Sequence, residues 1–350
     1  MSKNQSQTIR LSLRWLLLIA LLMLGLGIVG GIVGTQLVGP RLPVTVESPD
    51  QIVSTVQQVT VSPNMNREQV LEQARRSIVL IGQIKGETVT YAGTGVIITN
   101  DGLIATTAII SGEQIVAIDE AGKTTAVSSQ GNDPLYGLTY LKLPSAVAVP
   151  IELSGATDMT GDDLLAVTRF PETLALETHL FHAESYRLPP EHSTFPGWQR
   201  LLKGTLPVAD ILESAPVLDE EGKLAGLLFS PQAGFVLPAS DIKLSLDRLA
   251  AGKREFDPFS QAGFDIAYRF TEATAVSSPQ FTVVVTAVTP RSAAAIGGVK
   301  VGDTISKIGE GTLSWQTPII TQMGQGLPLT LTLKRQGVER VTTLETPSSP

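Results

Sequence analysis

Between residues 77 and 238 the chain alternates short apolar runs with turn-forming sequences, and this pattern constrains the fold most. Seven runs predict β-strands: Ile78–Ile84, Gly95–Thr99, Leu103–Ile110, Gln114–Ile118, Leu138–Leu143, Asp163–Thr168 and Leu224–Phe229. Turn signals such as Asn100-Asp101-Gly102 and Glu221-Gly222 separate them. The 32 glycines and 22 prolines supply the many turns that an all-β fold needs. The pattern fits a β-sandwich or a β-barrel and does not choose between them.

Two helices are predicted at the ends of this β-rich region. The first covers Arg67–Ala74, with Asn66 as its cap. The second begins at Ser240 or Asp241, and Gly252 can end it. Its apolar residues, spaced to share one face, are Ile242, Leu246 and Leu249.

Composition excludes several kinds of chemistry. The chain has no cysteine, so disulfides, thiolate catalysis and zinc–thiolate sites are absent. The first 40 residues hold three basic and no acidic residues, which leaves 23 basic and 33 acidic groups beyond them. An acidic main body argues against nucleic acid as a partner.

The N-terminal region predicts a membrane anchor. Trp15–Gly34 is a run of 20 residues without a charge, and at about 1.5 Å per residue a helix of that length spans the ~30 Å hydrocarbon core. Lys3, Arg10 and Arg14 precede it, so the positive-inside rule places residues 1–14 in the cytosol. A cleaved signal peptide is the alternative, and both interpretations place the main body outside the cytoplasm.

The sequence Gly93–Ser111, GTGVIITNDGLIATTAIIS, resembles a motif of the HtrA family of trypsin-like serine proteases. In that family the strand ends T-N-A-H-V, and its histidine is the catalytic base. The resemblance places Ile109 at the histidine position. An alkyl side chain cannot accept a proton from a serine hydroxyl, so this position cannot act as a general base.

The other two members of the family's triad are altered as well. The segment Asp133–Leu143 resembles D-P-x-T-D-L-A-V-L-K-I, and the matched aspartate position is Gly137. The family's G-N-S-G-G-P-L-V aligns with ILESAPVL, which starts at Ile211. Without a gap the nucleophile position is Glu213, and with one deletion it is Ser214. A carboxylate at position 213 would repel the oxyanion of an acyl-transfer intermediate.

The C-terminal part resembles a PDZ domain. Ala262-Gly263-Phe264-Asp265-Ile266 resembles the loop and strand with which PDZ domains hold a C-terminal carboxylate, and Val283–Ile305 resembles a second PDZ motif. The resemblance implies that a peptide pairs with the strand through Ile266. A short helix would form the opposite wall of the groove, with side chains Trp315, Ile319, Ile320 and Met323 on one side.

These features predict a mostly β chain with a trypsin-like double β-barrel, a PDZ domain and one N-terminal transmembrane helix. The predicted segments are a cytoplasmic tail (1–14), an anchor (15–36), a linker (37–66), a degenerate protease domain (67–254) and a PDZ domain (255–346). Two six-stranded barrels are what the resemblance implies. The predicted location is a cell membrane, crossed once.

The predicted function is polypeptide or C-terminus binding by a pseudoprotease that is not an enzyme and acts as an adaptor or quality-control regulator. The alternatives are an active HtrA-like endopeptidase with rearranged residues, and a structural subunit that assembles with itself or with active relatives.

No cofactor or metal is expected. The histidines His179 and His182 form an H-x-x-H pair, but they fall in a predicted strand, where residues three apart face opposite sides and do not share a metal ion. The third histidine is His192.

Overall fold

The computed structural model describes residues 63–346, except for residues 87, 109, 111–113, 145–147, 189–194, 207–212, 231, 254–255, 272–279 and 325. For residues 63–67 and 73 only the backbone is described. The predicted tail, the anchor and most of the linker lie outside these residues. Within them, no helix has the length and apolar character that a membrane crossing requires.

The first half of the β-rich region forms a seven-stranded antiparallel sheet in the order β5-β4-β1-β2-β3-β7-β6. Its strands are β1 (Ile78–Lys85), β2 (Thr88–Ile97), β3 (Leu103–Thr106), β4 (Ile115–Ile118), β5 (Thr124–Ala126), β6 (Ser128–Asp133) and β7 (Leu138–Lys142). The resemblance implied a closed six-stranded barrel here. The strands β5 and β6 lie at opposite ends of this sheet, and in the described residues they do not pair to close it into a barrel. Strand β5 has three residues.

The second half forms the closed six-stranded barrel that was expected, in the order β10-β13-β12-β11-β8-β9. Its strands are β8 (Asp163–Arg169), β9 (Leu176–Arg187), β10 (Leu201–Thr205), β11 (Ala215–Leu218), β12 (Leu224–Ser230) and β13 (Phe235–Pro238). In β9, Phe181 and Ala183 are fully buried while His182 and Glu184 are exposed. This alternation sends every second side chain into the barrel core.

The two predicted flanking helices exist, and both begin earlier than expected. Helix α1 covers Pro63–Ala74, because proline is well tolerated at the start of a helix. Helix α2 covers Ala239–Ala250 and follows β13 directly, so Pro238 occupies the cap position and neither Ser240 nor Asp241 does. Gly252, in a left-handed conformation, follows its end as predicted.

The C-terminal part is a separate sheet in the order β14-β15-β16-β18-β19, with β17 paired to β16. Its elements are α3 (Pro258–Ala262), β14 (Phe264–Thr271), β15 (Gln280–Val288), α4 (Ala293–Ile296), β16 (Thr304–Ile308), β17 (Gly311–Thr312), α5 (Ile319–Met323), β18 (Leu329–Arg335) and β19 (Val338–Leu344). Strand β14 lies at an edge of this sheet. Trp315 lies before α5, so the prediction that it belongs to this helix is wrong.

A buried guanidinium joins the first sheet, helix α1 and the barrel. Arg169 is 1% exposed and donates from Nε to the carbonyl of Ile78 at 3.1 Å. Its Nη1 and Nη2 donate to the carbonyls of Leu174 at 2.6 Å and Arg75 at 2.7 Å. Burial lowers the pKa of this guanidinium, but arginine stays charged at any physiological pH. One side chain therefore satisfies three backbone acceptors in three separate segments.

We expect Arg169→Met to destabilise the chain by about 3 kcal/mol or more, because it removes the donors for three carbonyls at a buried position. Arg187→Met, at the exposed end of β9, is the matched control and should cost under about 0.5 kcal/mol. Urea unfolding of the full-length chain in detergent measures both. Equal midpoints for the two variants would contradict a bracing role for Arg169.

Candidate functional site

A cleft of about 340 Å³ lies between the first sheet and the barrel. Segments that are distant in the sequence converge on it: the end of β3, the β6–β7 turn, the approach to β10, the start of β11 and the end of β12. The residues that line it are Thr107, Ala108, Ile110, Asn132, Asp133, Pro134, Gly137, Leu138, Thr139, Phe195, Trp198, Glu213 and Phe229. Two of the three triad positions named by the resemblance, 137 and 213, lie on this cleft.

The third triad position, Ile109, lies outside the described residues. Its neighbours Ala108 and Ile110 both line the cleft. The structure therefore brings the segments of all three predicted positions to one place.

Gly137 has a backbone conformation and a neighbour that exclude a side chain. Its φ of 62° is in the left-handed region, and a Cβ built on it would lie 2.7 Å from the Phe195 ring. The ring therefore occupies the place where an aspartate at this position would project. The sequence analysis missed Phe195, which follows a stretch without periodicity.

The two candidates for the nucleophile position, Glu213 and Ser214, differ in their surroundings. The carbonyl of Glu213 accepts a hydrogen bond from Thr94 N at 3.0 Å, and its side chain reaches the cleft. Ser214 is fully buried with φ of 65°. Its hydroxyl accepts from Thr107 N at 2.8 Å and from Thr106 Oγ1 at 3.0 Å. Glu213 therefore lies on the cleft, whereas Ser214 is buried.

Two polar groups on the cleft have no partner among the described residues. Burial raises the pKa of the Glu213 carboxyl, because part of its hydration is lost, and none of the ion pairs among the described residues includes it. The Thr107 hydroxyl is buried without a hydrogen-bond partner in this part of the chain. The buried Thr107 hydroxyl and the solvent-exposed Glu213 carboxylate are both available to a ligand.

Asp133 is the second carboxylate on the cleft, and it is fully engaged. One oxygen accepts from Leu135 N at 2.9 Å, and the other accepts from Ser245 Oγ at 2.8 Å and Arg248 Nε at 3.1 Å. Its side chain is 2% exposed. Asp133 therefore holds the β6–β7 turn against α2.

The described histidines lie away from the cleft. His179 and His182 both belong to β9, as expected, and His182 Nδ1 lies 2.8 Å from Asp163 Oδ1 on an exposed face of the barrel. His192 lies outside the described residues. Among the described residues, no group of three histidine, aspartate or glutamate side chains is placed to hold a metal ion.

The predicted carboxylate loop lies between α3 and β14. Gly263 has φ of 82°, as such a turn requires, but its N–H donates to the carbonyl of Phe259 at 2.7 Å. This donor is thus occupied, because α3 ends there. Asp265 is exposed and Ile266 is partly buried. The buried members of the predicted groove, at most 2% exposed, are Ala262, Phe264, Ile319 and Met323.

A short segment before β10, residues 195–199 and here called the strap, touches both the cleft and the C-terminal sheet. Trp198 Nε1 donates to the carbonyl of Tyr136 at 2.8 Å, and the Tyr268 hydroxyl donates to the carbonyl of Pro196. The Gln199 side chain accepts from Ile319 N at 2.9 Å. Its Nε2 lies 2.8 to 3.1 Å from the carbonyl oxygens of Ser314, Trp315 and Thr317.

We expect Gly137→Ala to destabilise the chain by about 2 kcal/mol, since strain at positive φ adds to a clash with Phe195. Gly86→Ala is the matched control, with φ of 63° and nothing within 4 Å of the added Cβ. Thermal unfolding of both variants separates the two effects, because Gly86→Ala has only the backbone strain and Gly137→Ala has the strain and the clash. Phe195→Ala should recover part of the loss in Gly137→Ala, and purely additive effects would contradict the contact.

Sequence comparison matches no protein-family model and no curated protein. Structure comparison gives clear matches. The HtrA-type protease AlgW with a decapeptide is 17% identical with a TM-score of 0.58, and the match covers 83% of this chain and 99% of AlgW. The serine endoprotease from Yersinia pestis is 20% identical with a TM-score of 0.57, over 82% and 98%. AlgW with a tripeptide is 18% identical with a TM-score of 0.58, over 81% and 97%.

These matches contradict the prediction that the chain is not an enzyme, because the proteins that share its fold are proteases. That prediction rested on three alignment positions alone. The cleft also presents a carboxylate at Glu213 and a hydroxyl at Thr107, groups that can exchange protons or form hydrogen bonds. The described part of this chain has the trypsin-like fold of HtrA-type serine proteases.

Proposed function

We propose that the chain is an HtrA-type protein that binds polypeptides. The observation that carries this proposal is the cleft between the first sheet and the barrel, which offers apolar walls and unpaired polar groups. It is supported by the matched structures, since AlgW is solved with a decapeptide and with a tripeptide.

We place this activity at the outer side of a membrane, with residues 15–36 as the anchor. The support is the uncharged 20-residue run and the basic residues that precede it. A tag at Met1 that an external protease removes from intact cells would contradict this orientation.

The C-terminal sheet is proposed to act as a PDZ-type module that takes free polypeptide C-termini. Strand β14 lies at the sheet edge, where an added peptide strand can pair with its backbone. Because Gly263 N–H is engaged, the peptide carboxylate is held by N–H groups that follow it, around Phe264. Ile319 and Met323 are at most 1% exposed, so contact of a peptide with these side chains requires a movement that exposes them.

We expect the full-length chain in detergent to bind a fluorescent peptide with a free, apolar C-terminal residue at about micromolar affinity, or ~8 kcal/mol. Amidation of the peptide C-terminus removes the charge and should weaken binding at least tenfold. N-methylation of a backbone N–H that pairs with β14 should do the same without any change to the protein. Fluorescence polarisation measures all three, and equal affinities for the acid and the amide would refute the module's proposed role.

Cleavage of the bound polypeptide is a second candidate function, favoured by the proteases that share the fold. The catalytic residues would be rearranged relative to the family. Ser214 is fully buried, so in this geometry its hydroxyl does not reach a substrate. Glu213 would instead take a proton from a water that attacks the peptide carbonyl, and would then pass that proton to the departing amide nitrogen. Its raised pKa makes it a stronger base than an ordinary carboxylate.

We expect the full-length chain to hydrolyse an unfolded, fluorescence-quenched polypeptide slowly, and Glu213→Gln to lower the rate by about a hundredfold. Glu220→Gln, an exposed acid on the β11–β12 turn, is the matched control and should keep the parent rate. No hydrolysis above buffer by the parent chain would refute cleavage. Labelling of Ser214 by a fluorophosphonate would show that Ser214, and not a water activated by Glu213, is the nucleophile.

A further inference from the structure

One wall of the cleft is aromatic. The Phe195 and Trp198 ring centroids are 4.6 Å apart with an interplanar angle of 49°, and those of Trp198 and Phe229 are 4.1 Å apart at 40°. All three residues line the cleft, and Phe235 continues the row behind Phe229 at 6.0 Å. Tilted rings offer both faces and edges, which is the surface that another aromatic ring prefers.

The unpaired charge on the described part of the cleft is negative. Of the two carboxylates that line it, Asp133 is neutralised by Arg248 at 3.1 Å, whereas Glu213 has no ion-pair partner among the described residues. The described residues that line the cleft include no lysine and no arginine. An unpaired carboxylate beside an apolar pocket selects a ligand that carries a positive charge next to an apolar group.

A buried hydroxyl gives an independent sign of a ligand. Thr107 lines the same cleft and is 7% exposed, and its Oγ1 has no hydrogen-bond partner among the described residues. A buried hydroxyl without a partner costs free energy that a bound backbone carbonyl or N–H would recover. Its neighbour Ser214 is satisfied through Thr107 N, so the backbone of Thr107 is fixed while its hydroxyl is free.

We propose that this cleft recognises a polypeptide segment in which an aromatic residue is followed or preceded by a basic residue. The aromatic ring packs on Phe195, Trp198 and Phe229, and the basic group pairs with Glu213. The volume of about 340 Å³ is sufficient for a single bulky side chain and for little more. This inference rests on the proposed polypeptide binding and names the substrate class of that site.

The test uses the full-length chain in detergent and peptides with an amidated C-terminus, so that binding at the C-terminal sheet is weakened. Each peptide holds one pair, Phe-Lys, Ser-Lys or Phe-Glu, in a constant polar sequence. We expect Phe-Lys to bind at least about tenfold more tightly than the other two, which is ~1.4 kcal/mol. Fluorescence polarisation gives the three dissociation constants.

Two variants assign the contributions. Glu213→Gln should abolish the preference for Lys over Glu and keep the preference for Phe over Ser. Phe229→Ala should reduce the preference for Phe and keep that for Lys. Tyr91→Ala, which removes an aromatic ring that is 42% exposed on β2, is the control and should change neither. Circular dichroism checks that each variant is folded.

The outcomes are distinct from those of the proposed function. If Phe-Lys and Ser-Lys peptides bind equally, or if Glu213→Gln keeps the preference for Lys, the inference is wrong. If amidated peptides of every kind fail while free-acid peptides bind, the inference is wrong and the C-terminal module stands. If neither kind of peptide binds, the proposed polypeptide binding fails as well.

Discussion

The cleft depends on one buried carboxylate, that of Asp133. A charge that is 2% exposed is tolerated only when it is paired and hydrogen-bonded, and Arg248 and Ser245 on α2 provide both. Because these partners belong to a helix that follows the barrel, the β6–β7 turn is fixed relative to the barrel and not only to its own sheet. Pro134 and Gly137 are carried with that turn, and so the wall of the cleft is set by an ion pair behind it.

The segments that the resemblance to the HtrA family names converge on one cleft, and the residues there differ from the catalytic motifs of the family. In place of a side chain at position 137, the structure has a glycine and the ring of Phe195. At one of the two candidate nucleophile positions, it has the exposed carboxylate of Glu213. These two exchanges change the surface together, because the ring makes the cleft apolar and the carboxylate gives it a negative charge.

Sequence periodicity predicted the strands and helices that bury one face. It predicted few of the residues that line the cleft. The strand at Leu224–Phe229 was identified because its residues are apolar and turn signals flank it. Phe195 and Trp198 were missed because they lie in a segment without repeat, and their role arises only from contact with Gly137 and Phe229. The different surroundings of Glu213 and Ser214 were also missed, because the burial of Ser214 and the exposure of Glu213 are set by contacts across the fold and not by local sequence.

The strap also affects what happens when the C-terminal sheet is produced as a separate fragment. Gln199 is 3% exposed and satisfies the first N–H of α5 and backbone carbonyls just before it, although it belongs to the barrel side of the chain. If the chain were cut between α2 and α3, this amide would lose every one of these partners, and the start of α5 would be left to water. An isolated C-terminal sheet would thus present a looser α5 than the intact protein, so an affinity measured on that fragment would describe a different groove.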